Sequence, residues 1–465
     1  MQYKNKVFLV YGLAKSGIAA AKLLLSFKAS VILHDRDEGV YKKQEVISLL
    51  ECGAQIYDGT QGFYAAVVSP GVPIDDDFLV NVKRGGGKII GELELGSLLL
   101  SSPIIAVTGT NGKTTVTTML THVLKSCGES AFSLGNVGTP ITEKAMALKP
   151  TDFAVVEVSS FQLETIKAFC PHIAVITNIT QDHLDRHYSM ENYVFLKGQI
   201  LKNMTSSEFA VLNYDDKTVR AFAEKTNAKV IWFSFKDWAL SEYQAFNGGS
   251  DAKCFDGAYF DGAYFDGQFL CFRGERVIDS NALNVYGRHN IENALAVISA
   301  CWAAGESLDN IKQGLETFRG ANHRLERVFE CDNVTYYNDS KATNVGASIT
   351  AVDCMDKNTV IILGGETKSQ DFKPLFDKLK NSNVTLAIIV GSGKGELIKC
   401  AANNDYFSFY VARDLSDAVR LAKSHLSGGG GNVLLSPACS SLDQYKNYEE
   451  RGQAFIDAVK ALYEA

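Results

Sequence analysis

Short apolar runs alternate with longer amphipathic runs in the first part of the chain. From Lys6 to about Ile90 the sequence passes through KVFLVYG, IAAAKLLLSF, SVILHD, AAVVSPG and GKIIGE. Short β-branched runs that end in glycine or a polar residue are typical of strands, and the longer run with apolar residues at helical spacing is typical of a helix. This alternation predicts βαβ units on a parallel sheet.

The same alternation begins again after the polar break SSP at residues 101–103. The run IIAVTGTNGKTTVTTMLTHVL predicts a strand, a glycine loop and a helix, and FAVVEVSS and HIAVITNIT predict further strands. We expect a helix from Asn290 to about Ala304. The second part of the chain is therefore predicted to form its own sheet.

A third unit is predicted after the glycine-flanked segment FRGANHRLERV near Gly320, which has the character of a hinge. TVIILGG, TLAIIVGSG and NVLLSPA predict strands that end in small residues, with helical segments between them. The whole pattern predicts an α/β chain of three domains. The boundaries are 1–101, 102–320 and 321–465, and the first and third domains are expected to be Rossmann-like.

A short repeat, FDGAYFDGAYFDG, runs from Phe255 to Gly267. Asp-Gly favours tight hairpin turns, so we expect hairpins on a surface excursion. A calcium loop would need more acidic ligands on a different spacing.

Composition narrows the class of protein. The chain has 465 residues, 46% hydrophobic and 21% charged, with eight prolines, which predicts folding throughout. Forty-six Lys and Arg against 53 Asp and Glu give a net charge of −7, which excludes a general basic surface for nucleic acid or an anionic membrane. Ten cysteines without a CxxC pair favour reduced thiols over disulfides or structural zinc.

The N-terminal run MQYKNKVFLVYG passes directly from a polar start into a strand, without the pattern of an export signal. Apolar stretches fall far short of the roughly 20 residues that a membrane-spanning helix needs. We therefore expect a cytoplasmic protein without membrane insertion, and we expect a monomer.

The clearest candidate for chemistry is the loop in IIAVTGTNGKTTVTTML. Small residues between a strand and a helix turn backbone N–H groups toward phosphate, a lysine pairs with phosphate charge, and a threonine hydroxyl reaches Mg²⁺. The full Walker spacing is not met, since Val107 stands where its first glycine belongs. A nucleotide phosphate site is predicted in preference to an ordinary turn, with these residues: Gly109, Thr110, Asn111, Gly112, Lys113, Thr114 and Thr115.

A second glycine turn, GLAKSG at residues 12–17, resembles the dinucleotide fingerprint, and Asp35 ends the next strand. Ala14 stands at the middle glycine, where a methyl group obstructs the approach to a pyrophosphate. Another turn, Ser69-Pro70-Gly71, follows a separate strand, so the same sheet edge could hold a different diphosphate nucleotide. A glycine turn that serves only helix packing remains an alternative.

Acidic and imidazole groups follow two further strands. VVEVSSFQLE places Glu157 at a strand end, and VITNITQDHLDRH places Asp182 and His183 just beyond another. The carboxyl ends of parallel strands meet at one edge of a sheet, where such groups suit Mg²⁺ between ATP and a second substrate. His187 could equally be a supporting or a surface residue.

Taken in order along the chain, these motifs resemble those of the cytoplasmic Mur ligases of peptidoglycan synthesis. The matching runs are TGTNGKTT, EVSSFQLE, NITQDHLDRH, GRHNIENALA, NDSKATN and SPACSSLDQYKNYEERG. The resemblance implies a central P-loop-type ATP-binding domain between two Rossmann-like domains, with ATP and Mg²⁺ as cofactors. It also implies the activity of the member that joins D-glutamate to UDP-N-acetylmuramoyl-L-alanine through an acyl phosphate.

The resemblance implies roles for individual residues. Lys113, His183 and Lys197 would be catalytic, and His323 would follow the hinge with Arg324. The positions near ATP outside the loop are Asn290, Asn293, Arg324 and Asp339. The metal positions are Thr114, Glu157, His183 and Lys197. The UDP-sugar positions are Ala14, Lys15, Ser16, Asp35, Arg36, Ser69, Gly71, Asn136 and Gln162. The D-glutamate positions are Lys341, Thr343, Lys368, Ser441, Leu442 and Tyr448.

Lys197, in ENYVFLKGQI, presents an electrostatic problem. A bare ammonium beside Mg²⁺ would be repelled, so a lysine fits there only if it is modified or turned away. The resemblance implies a carbamylated lysine, an anion that orients the metal. The alternative is a solvated helix lysine.

Other functions stay open at this point. Another Mur ligase or a folylpolyglutamate-type ligase would share the ATP loop and the metal acids, although the first turn, the short N-terminal domain and the SLDQYKNYEERG run favour the D-glutamate enzyme. A nicotinamide-dependent dehydrogenase would use the first turn and would give Lys113 no role. A non-catalytic nucleotide-binding regulator would bind ATP without releasing phosphate.

Overall fold

The computed structural model describes residues 3–236, 255–256, 259–285, 287–320, 323–368 and 370–464. Within these ranges the chain is an α/β protein whose main sheets have five, nine and six strands, so the predicted fold class is confirmed. The chain packs as two compact units, one of Met1–Ser280 with Ile291–Glu316 and one of Asn281–Asn290 with Thr317–Ala465. In the part of the chain that is described, no helix combines the length and apolarity needed to cross a membrane.

The first sheet is parallel throughout. Its elements are β1 Val7–Tyr11, α1 Lys15–Ser26, β2 Ser30–His34, a 3-10 helix Glu38–Lys42, α2 Gln44–Glu51, β3 Gln55–Ile56, β4 Ala65–Val68, α3 Asp77–Arg84, β5 Lys88–Gly91 and α4 Glu92–Ser97. The strand order is β3-β2-β1-β4-β5, with β1 central. Its last four residues are buried, as expected of a parallel strand covered on both faces. The ends of β1, β2 and β4 therefore meet at one edge.

The second sheet begins with β6, whose residues IIAVT are all buried. Its strand order is β16-β15-β14-β11-β10-β9-β6-β8-β7, parallel except for the antiparallel pairings of β15. The elements are β6 Ile104–Thr108, α5 Lys113–Ser126, β7 Ala131–Gly135, α6 Ile141–Lys144, β8 Phe153–Glu157, α7 Ser160–Leu163, β9 Ile173–Ile176, α8 Leu184–His187, α9 Met190–Gly198, a 3-10 helix Gln199–Leu201, β10 Phe209–Asn213, α10 Lys217–Arg220, a 3-10 helix Ala221–Glu224, β11 Lys229–Ser234, β12 Phe255–Asp256, β13 Tyr259–Phe260, β14 Gly262–Phe265, β15 Phe269–Phe272, β16 Glu275–Asp279, a 3-10 helix Ser280–Ala282, α11 Arg288–Ala303 and α12 Leu308–Thr317.

The FDGAY repeat divides between a hairpin and the second sheet. β12 pairs with β13 as an antiparallel hairpin, as predicted, while residues 257–258 lie outside the described residues. The expectation of a surface excursion is wrong for β14, which lies between β11 and β15 with its first three residues buried. Gly262 permits this position, because a Cβ there would lie 1.8 Å from the carbonyl oxygen of Trp232.

Deleting one repeat unit, residues 260–264, is expected to change the free energy of unfolding by less than about 1 kcal/mol. Gly257, Ala258 and Tyr259 of the preceding unit then join Phe265 and restore the sequence GAYF of β14, and Asp256 takes the place of Asp261. Thermal and urea unfolding measure the effect. A matched deletion of residues 260–263 brings Ala258 to the position of Gly262 and should be clearly destabilising. Equal stability of the two deletions would contradict the prediction.

The third sheet lies in the second unit and has the strand order β17-β18-β22-β19-β20-β21. The strands predicted from TVIILGG, TLAIIVGSG and NVLLSPA are β19, β20 and β22, and only the β17–β18 pairing is antiparallel among the described strands of this sheet. The elements are β17 Glu326–Cys331, β18 Val334–Asn338, α13 Val345–Asp353, β19 Thr359–Gly364, α14 Lys373–Lys380, β20 Val384–Val390, α15 Lys394–Asn403, β21 Phe409–Val411, α16 Leu415–Leu426, β22 Gly431–Leu435 and α17 Tyr448–Glu464.

A buried carboxylate connects α4 with the segment that precedes β9. The side chain of Glu94 is 2% exposed and accepts hydrogen bonds from the backbone N–H groups of Lys167, Ala168 and Phe169, at 3.0, 2.8 and 3.1 Å. A buried charged acceptor contributes more than a neutral one, and the donor of Phe169 is buried with it. Glu94 therefore stabilises the packing inside the first unit.

Replacing Glu94 by Gln is expected to lower the free energy of unfolding by about 1–3 kcal/mol. The amide nitrogen cannot accept a hydrogen bond, so at least one of the three backbone N–H groups loses its partner. Urea unfolding and thermal melting report the change. The matched control is Glu51→Gln, which alters an exposed carboxylate at the end of α2. If the two variants unfolded alike, this role of Glu94 would be wrong.

Candidate active site

The predicted phosphate loop joins β6 to α5, and two of its positions require glycine. Gly109 has a φ of 149° and Gly112 a φ of 83°, in the region that side chains rarely adopt. A Cβ at Gly109 would lie 1.9 Å from Thr177 Oγ1, and a Cβ at Gly112 would lie 2.5 Å from Asn293 Oδ1. The backbone can therefore pass close to its neighbours, and the N–H groups of the first turn of α5 provide donors for an anion.

The segment that follows β9 holds this loop in place. Thr110 N donates to the carbonyl oxygen of Asn178 at 2.8 Å, and Asn111 N donates to Asn178 Oδ1 at 2.9 Å. Thr177 Oγ1 donates to the carbonyl oxygen of Asn111 at 2.6 Å. These contacts fix the loop before any ligand binds. Thr177 and Asn178 were not singled out from the sequence, because their role depends on β9 lying beside β6.

Two lysines converge on the start of the loop. Lys113 Nζ donates to the carbonyl oxygens of Gly109 and Thr110 at 2.9 and 2.8 Å. Lys197 Nζ donates to the same Gly109 oxygen at 2.7 Å. Both side chains therefore reach the backbone that would surround a phosphate.

Lys197 is a buried residue, with 1% of its surface exposed. Burial, and secondly the charge of Lys113, lower the pKa of Lys197 from 10.5 to about 7. The alternative of a solvated helix lysine is therefore wrong. The ring of Tyr193 lies 4.7 Å from Lys197 Nζ, and the Tyr193 hydroxyl is 3.1 Å from Thr110 Oγ1. Sequence reasoning missed Tyr193, whose only signal is its position one helical turn before Lys197.

Glu157 is the candidate metal ligand that the geometry supports most directly. It ends β8 beside Val107 of β6 and is 2% exposed. Its Oε1 accepts a hydrogen bond from Asn136 Nδ2 at 2.9 Å, whereas Oε2 is buried without a hydrogen-bond partner among the described residues. A buried carboxylate oxygen with no donor is suited to a cation.

The described residues contain no group of three or more His, Cys, Asp or Glu side chains that could bind a metal by themselves. Mg²⁺ is commonly held by one or two carboxylates, with phosphate oxygens and water as further ligands. Glu157 and the Thr114 hydroxyl in the first turn of α5 therefore fit a magnesium ion that binds together with a nucleotide.

His183 lies in a strained segment. Its φ is 50° and that of Tyr188 is 64°, so left-handed residues stand on both sides of the short helix α8. The His183 side chain is half exposed, and its Nε2 lies 3.4 Å from Asp182 Oδ2. The ring of Phe161 packs against it with the centroids 5.0 Å apart. The His183 imidazole is therefore accessible to solvent, in the segment that follows β9.

His187, at the end of α8, anchors this segment through contacts with Ser160 and Phe161. It is buried, its Nε2 is 2.9 Å from Ser160 Oγ, and its ring packs on Phe161. Arg186 donates to Glu164 Oε2 at 2.7 Å and to the carbonyl oxygen of Val72 at 3.1 Å. Of the two roles open to His187 in the sequence, the structure therefore favours the supporting one.

The predicted UDP-sugar residues of the first sheet meet at one strand edge. Asp35 Oδ2 accepts a hydrogen bond from Leu13 N at 2.6 Å, and Ser69 Oγ donates to the carbonyl oxygen of Gly12 at 2.7 Å. Lys15 Nζ donates to the carbonyl oxygen of Gly138 at 2.5 Å. The ends of β1, β2 and β4 are thus tied together around the glycine turn.

The other residues predicted to bind the UDP-sugar do not form a single cluster. Ala14 and Ser16 flank the start of α1, and Gly71 lies in the turn after Ser69. Arg36 pairs with the buried Asp76. Asn136 contacts Glu157, as described above. Gln162 lines one pocket with Ser69, while its Oε1 accepts a hydrogen bond from the N-cap residue of α7 at 3.0 Å.

In the second unit, Asp339 and its neighbours form a compact polar group. Asp339 accepts hydrogen bonds from Leu325 N at 3.1 Å and Ser436 Oγ at 2.7 Å, and burial raises its pKa to about 7. The charge of Arg324 acts in the opposite direction on that pKa. Lys341 Nζ lies 5.0 Å from the ring of Tyr448.

The other predicted D-glutamate residues lie on neighbouring turns. Glu366 and Ser440 exchange two backbone hydrogen bonds, of 2.9 and 3.0 Å, which bring the turn that contains Lys368 beside the segment that contains Ser441. Ser441 is buried, while Leu442 is 61% exposed. The carbonyl oxygen of Thr343 accepts a hydrogen bond from Gln370 Nε2 at 3.4 Å.

Comparisons with known proteins show the family to which the chain belongs. A model of the Mur ligase middle domain matches residues 107–301. The UDP-N-acetylmuramoylalanine–D-glutamate ligase of Caldanaerobacter subterraneus subsp. tengcongensis is 38% identical over 470 residues, covering 99% of this chain and 100% of that protein. The enzyme of the same name from Clostridioides difficile is 36% identical over 471 residues, with the same coverage. The chain belongs to the UDP-N-acetylmuramoylalanine–D-glutamate ligase family.

Solved Mur ligases share the fold of this ligase. The UDP-N-acetylmuramate–alanine ligase of Thermotoga maritima superposes with a TM-score of 0.55 at 18% identity, over 98% of this chain and 99% of that one. An Acinetobacter baumannii structure, the UDP-N-acetylmuramoylalanyl-D-glutamyl-2,6-diaminopimelate–D-alanyl-D-alanyl ligase, gives 0.58 at 15% identity, over 98% and 93%. The resemblance to Mur ligases is confirmed, and a dehydrogenase is no longer a candidate.

The predicted residues of this ligase fall into groups that the structure brings together to different degrees. In the first unit, the Gly109–Thr115 loop lies against Asn293 and Lys197, and Glu157 lies against Asn136. In the second unit, Lys341 meets Tyr448, and the Lys368 turn meets the Ser441 segment. Asn290 is buried near the start of α11 and belongs to the second unit. The domain boundaries and the ligand assigned to each residue stay predictions.

Proposed function

We propose that this ligase joins the alanyl carboxylate of UDP-N-acetylmuramoyl-L-alanine to the amine of D-glutamate, with ATP converted to ADP and phosphate. The observation that carries the proposal is the full-length similarity to ligases of that name, in a chain whose Gly109–Thr115 loop is built for phosphate. The Lys368 and Ser441 segments at the edge of the third sheet support an amino-acid site in the same chain.

A free carboxylate needs activation because its charge is delocalised and an oxide ion is a poor leaving group. We propose that the alanyl carboxylate attacks the γ-phosphorus of ATP, so that ADP leaves and an acyl phosphate forms. Backbone N–H groups of the loop and the Lys113 ammonium stabilise the charge on the transferred group. Lys113 now contacts two loop carbonyl oxygens and would exchange them for phosphate oxygens.

Mg²⁺, when bound, would supply further neutralisation of phosphate charge. The residues proposed to hold it are Thr114, Glu157 and His183. The buried Oε2 of Glu157 supports this assignment, because no other described group satisfies it.

We propose that Lys197 is carbamylated. Its neutral amine attacks carbon dioxide, forms a nitrogen–carbon bond and releases one proton, which leaves an anionic carbamate. The lowered pKa of about 7 supplies the neutral amine, and the change of sign removes the repulsion from Lys113. An anion here would also orient Lys113 and the metal.

The D-glutamate amine then attacks the acyl phosphate. The tetrahedral intermediate collapses to the amide and inorganic phosphate, and the amine loses a proton. Lys341, Lys368 and Arg324 are proposed to balance the charges of glutamate and phosphate. His183 could accept the proton, although its better role is metal binding. Because ATP and UDP-linked sugars are cytoplasmic compounds, we propose a cytoplasmic enzyme, acting as a monomer.

A direct test uses the purified protein with ATP, Mg²⁺ and UDP-N-acetylmuramoyl-L-alanine. Phosphate release is measured after adding D-glutamate, L-glutamate, L-alanine or meso-diaminopimelate. We expect release that depends on both the nucleotide sugar and D-glutamate. Release that is independent of D-glutamate, or that prefers another amino acid, would contradict the proposal. Bound nucleotide without any release would indicate the regulator alternative instead.

A further inference from the structure

Arg451, on α17, is a buried cation that no part of the proposed reaction uses. It is 3% exposed. Its Nε donates to Ser340 Oγ at 2.9 Å, and its Nη2 donates to the Ser340 carbonyl oxygen at 2.7 Å. Its Nη1 donates to the carbonyl oxygens of Cys439 at 3.0 Å and Gly364 at 3.4 Å. One guanidinium therefore joins three separate segments of the second unit.

Each of these segments leaves the carboxyl end of a strand in the third sheet. Ser340 follows β18, Gly364 ends β19, and Cys439 follows β22. The strands are neighbours in the order β18-β22-β19, so their ends lie side by side. Such edges are where ligands bind in open α/β sheets.

A proposed D-glutamate residue follows closely in each segment. Lys341 comes directly after Ser340, Lys368 lies four residues after Gly364, and Ser441 lies two residues after Cys439. The Arg451 side chain thus binds the backbone of the three segments that carry these proposed substrate contacts.

The acceptors of Arg451 are carbonyl and hydroxyl oxygens, and burial lowers its pKa to about 10. The charges of Asp443 and Asp339 favour the charged form, but burial outweighs them, and a buried charge costs more desolvation than a neutral side chain would. A planar fork of five N–H donors is nevertheless the side chain that can reach several fixed carbonyl oxygens at once. The arrangement is therefore specific for arginine.

The packing leaves little freedom around this guanidinium. Gly365 has a φ of 134°, and a Cβ there would lie 3.2 Å from Arg451 Nη1 and 2.1 Å from the Ser440 carbonyl oxygen. Ser340 Oγ also donates to the carbonyl oxygen of Tyr448 at 2.8 Å. The three segments and the start of α17 are thus held as one group.

We infer that Arg451 is a positioning residue for the amino-acid substrate: it sets the spacing of the segments that present Lys341, Lys368 and Ser441 to D-glutamate. This inference rests on the proposed function and deepens it, since it names what holds the amino-acid pocket in shape. Arg451 acts through these segments and does not itself contact the substrate.

The main test is Arg451→Lys, which keeps the charge but cannot donate to three segments at once. We expect the KM for D-glutamate to rise by about 10-fold or more, with the KM values for ATP and UDP-N-acetylmuramoyl-L-alanine changed by less than about 3-fold. A general loss of folded enzyme would lower kcat and leave all three KM values unchanged. The split among substrates therefore separates positioning from stability.

Ser340→Ala is the milder second variant, because it removes the hydroxyl that accepts from Arg451 Nε and donates to Tyr448 but leaves the guanidinium and its three carbonyl acceptors in place. It should raise the KM for D-glutamate in the same direction by a smaller factor, at a melting temperature close to that of the wild type. The matched control is Arg420→Lys, an exposed position on α16, which should change no KM.

An unchanged KM for D-glutamate in either Arg451→Lys or Ser340→Ala would overturn the inference, and so would an equal rise in all three KM values. These outcomes are read only against a wild-type enzyme whose phosphate release depends on D-glutamate. If the wild type lacks that dependence, it is the proposed function that fails.

Discussion

Lys113→Met is expected to lower kcat/KM for ATP by about 100-fold to 1,000-fold, the usual cost of losing one strong stabilising group at a reacting phosphate or oxyanion. The methionine side chain keeps most of the volume and the packing of lysine but has no charge and no donor. Lys113 starts α5 and lies within hydrogen-bond distance of the loop carbonyl oxygens. No other group on this loop can supply its charge in the same place.

The measurement is phosphate release at saturating UDP-N-acetylmuramoyl-L-alanine and D-glutamate over a range of ATP concentrations. Lys125→Met is the matched control, since Lys125 is exposed in the last turn of the same helix. We expect the control to keep wild-type rates. A Lys113→Met enzyme with full activity would show that the loop does not use this lysine, and the phosphate-site prediction would be wrong.

Lys197→Ala is expected to lower kcat by at least about 100-fold, and short carboxylic acids added to the assay are expected to restore part of the loss. The proposed carbamate is an anion in a buried space, and a small carboxylate can occupy the space that the alanine leaves. The lowered pKa of about 7 explains how carbamylation starts, because an ordinary lysine with a pKa near 10.5 holds very little neutral amine at neutral pH.

The pH dependence follows from the same shift. The neutral amine is the form that reacts with carbon dioxide, and its fraction rises as the pH passes upward through about 7. Loading of Lys197 with isotope-labelled bicarbonate should therefore increase from pH 6 to pH 8 and should be absent in Lys197→Ala. Lys202→Ala, an exposed lysine just after the 3-10 helix that follows α9, is the control and should need no rescue. A fully active Lys197→Ala enzyme, or a dead one that no carboxylate restores, would refute the carbamate.

Much of the architecture could be read from local sequence, because strands, helices and glycine turns leave local signals. The runs around β6 and α5 predict the strand, loop and helix that the structure contains. Gly109 and Gly112 could be recognised because glycine is favoured where the backbone adopts a positive φ and is needed where it also passes too close to a neighbour for a Cβ. The strand position of Glu157 was equally evident from the apolar run before it.

Contacts between distant segments left no such signal. Tyr193 appears in the sequence as one more apolar residue of a helix, and its contacts with Thr110 and Lys197 depend on how α9 packs on the loop. The sequence of β14 predicted a surface hairpin, because no local pattern indicates that this strand pairs with β11.

The sequence by itself determined the α/β class, the phosphate loop and, through motifs in a fixed order, the likeness to Mur ligases. These features follow from the spacing of neighbouring residues, which fixes backbone conformation and helix or strand periodicity. Only the tertiary structure decided that Lys197 is buried beside Lys113, that one oxygen of Glu157 has no partner among the described residues, and that Arg451 joins three strand ends. Burial and electrostatic environment are set by segments far apart in the chain, so they appear only when those segments are packed together.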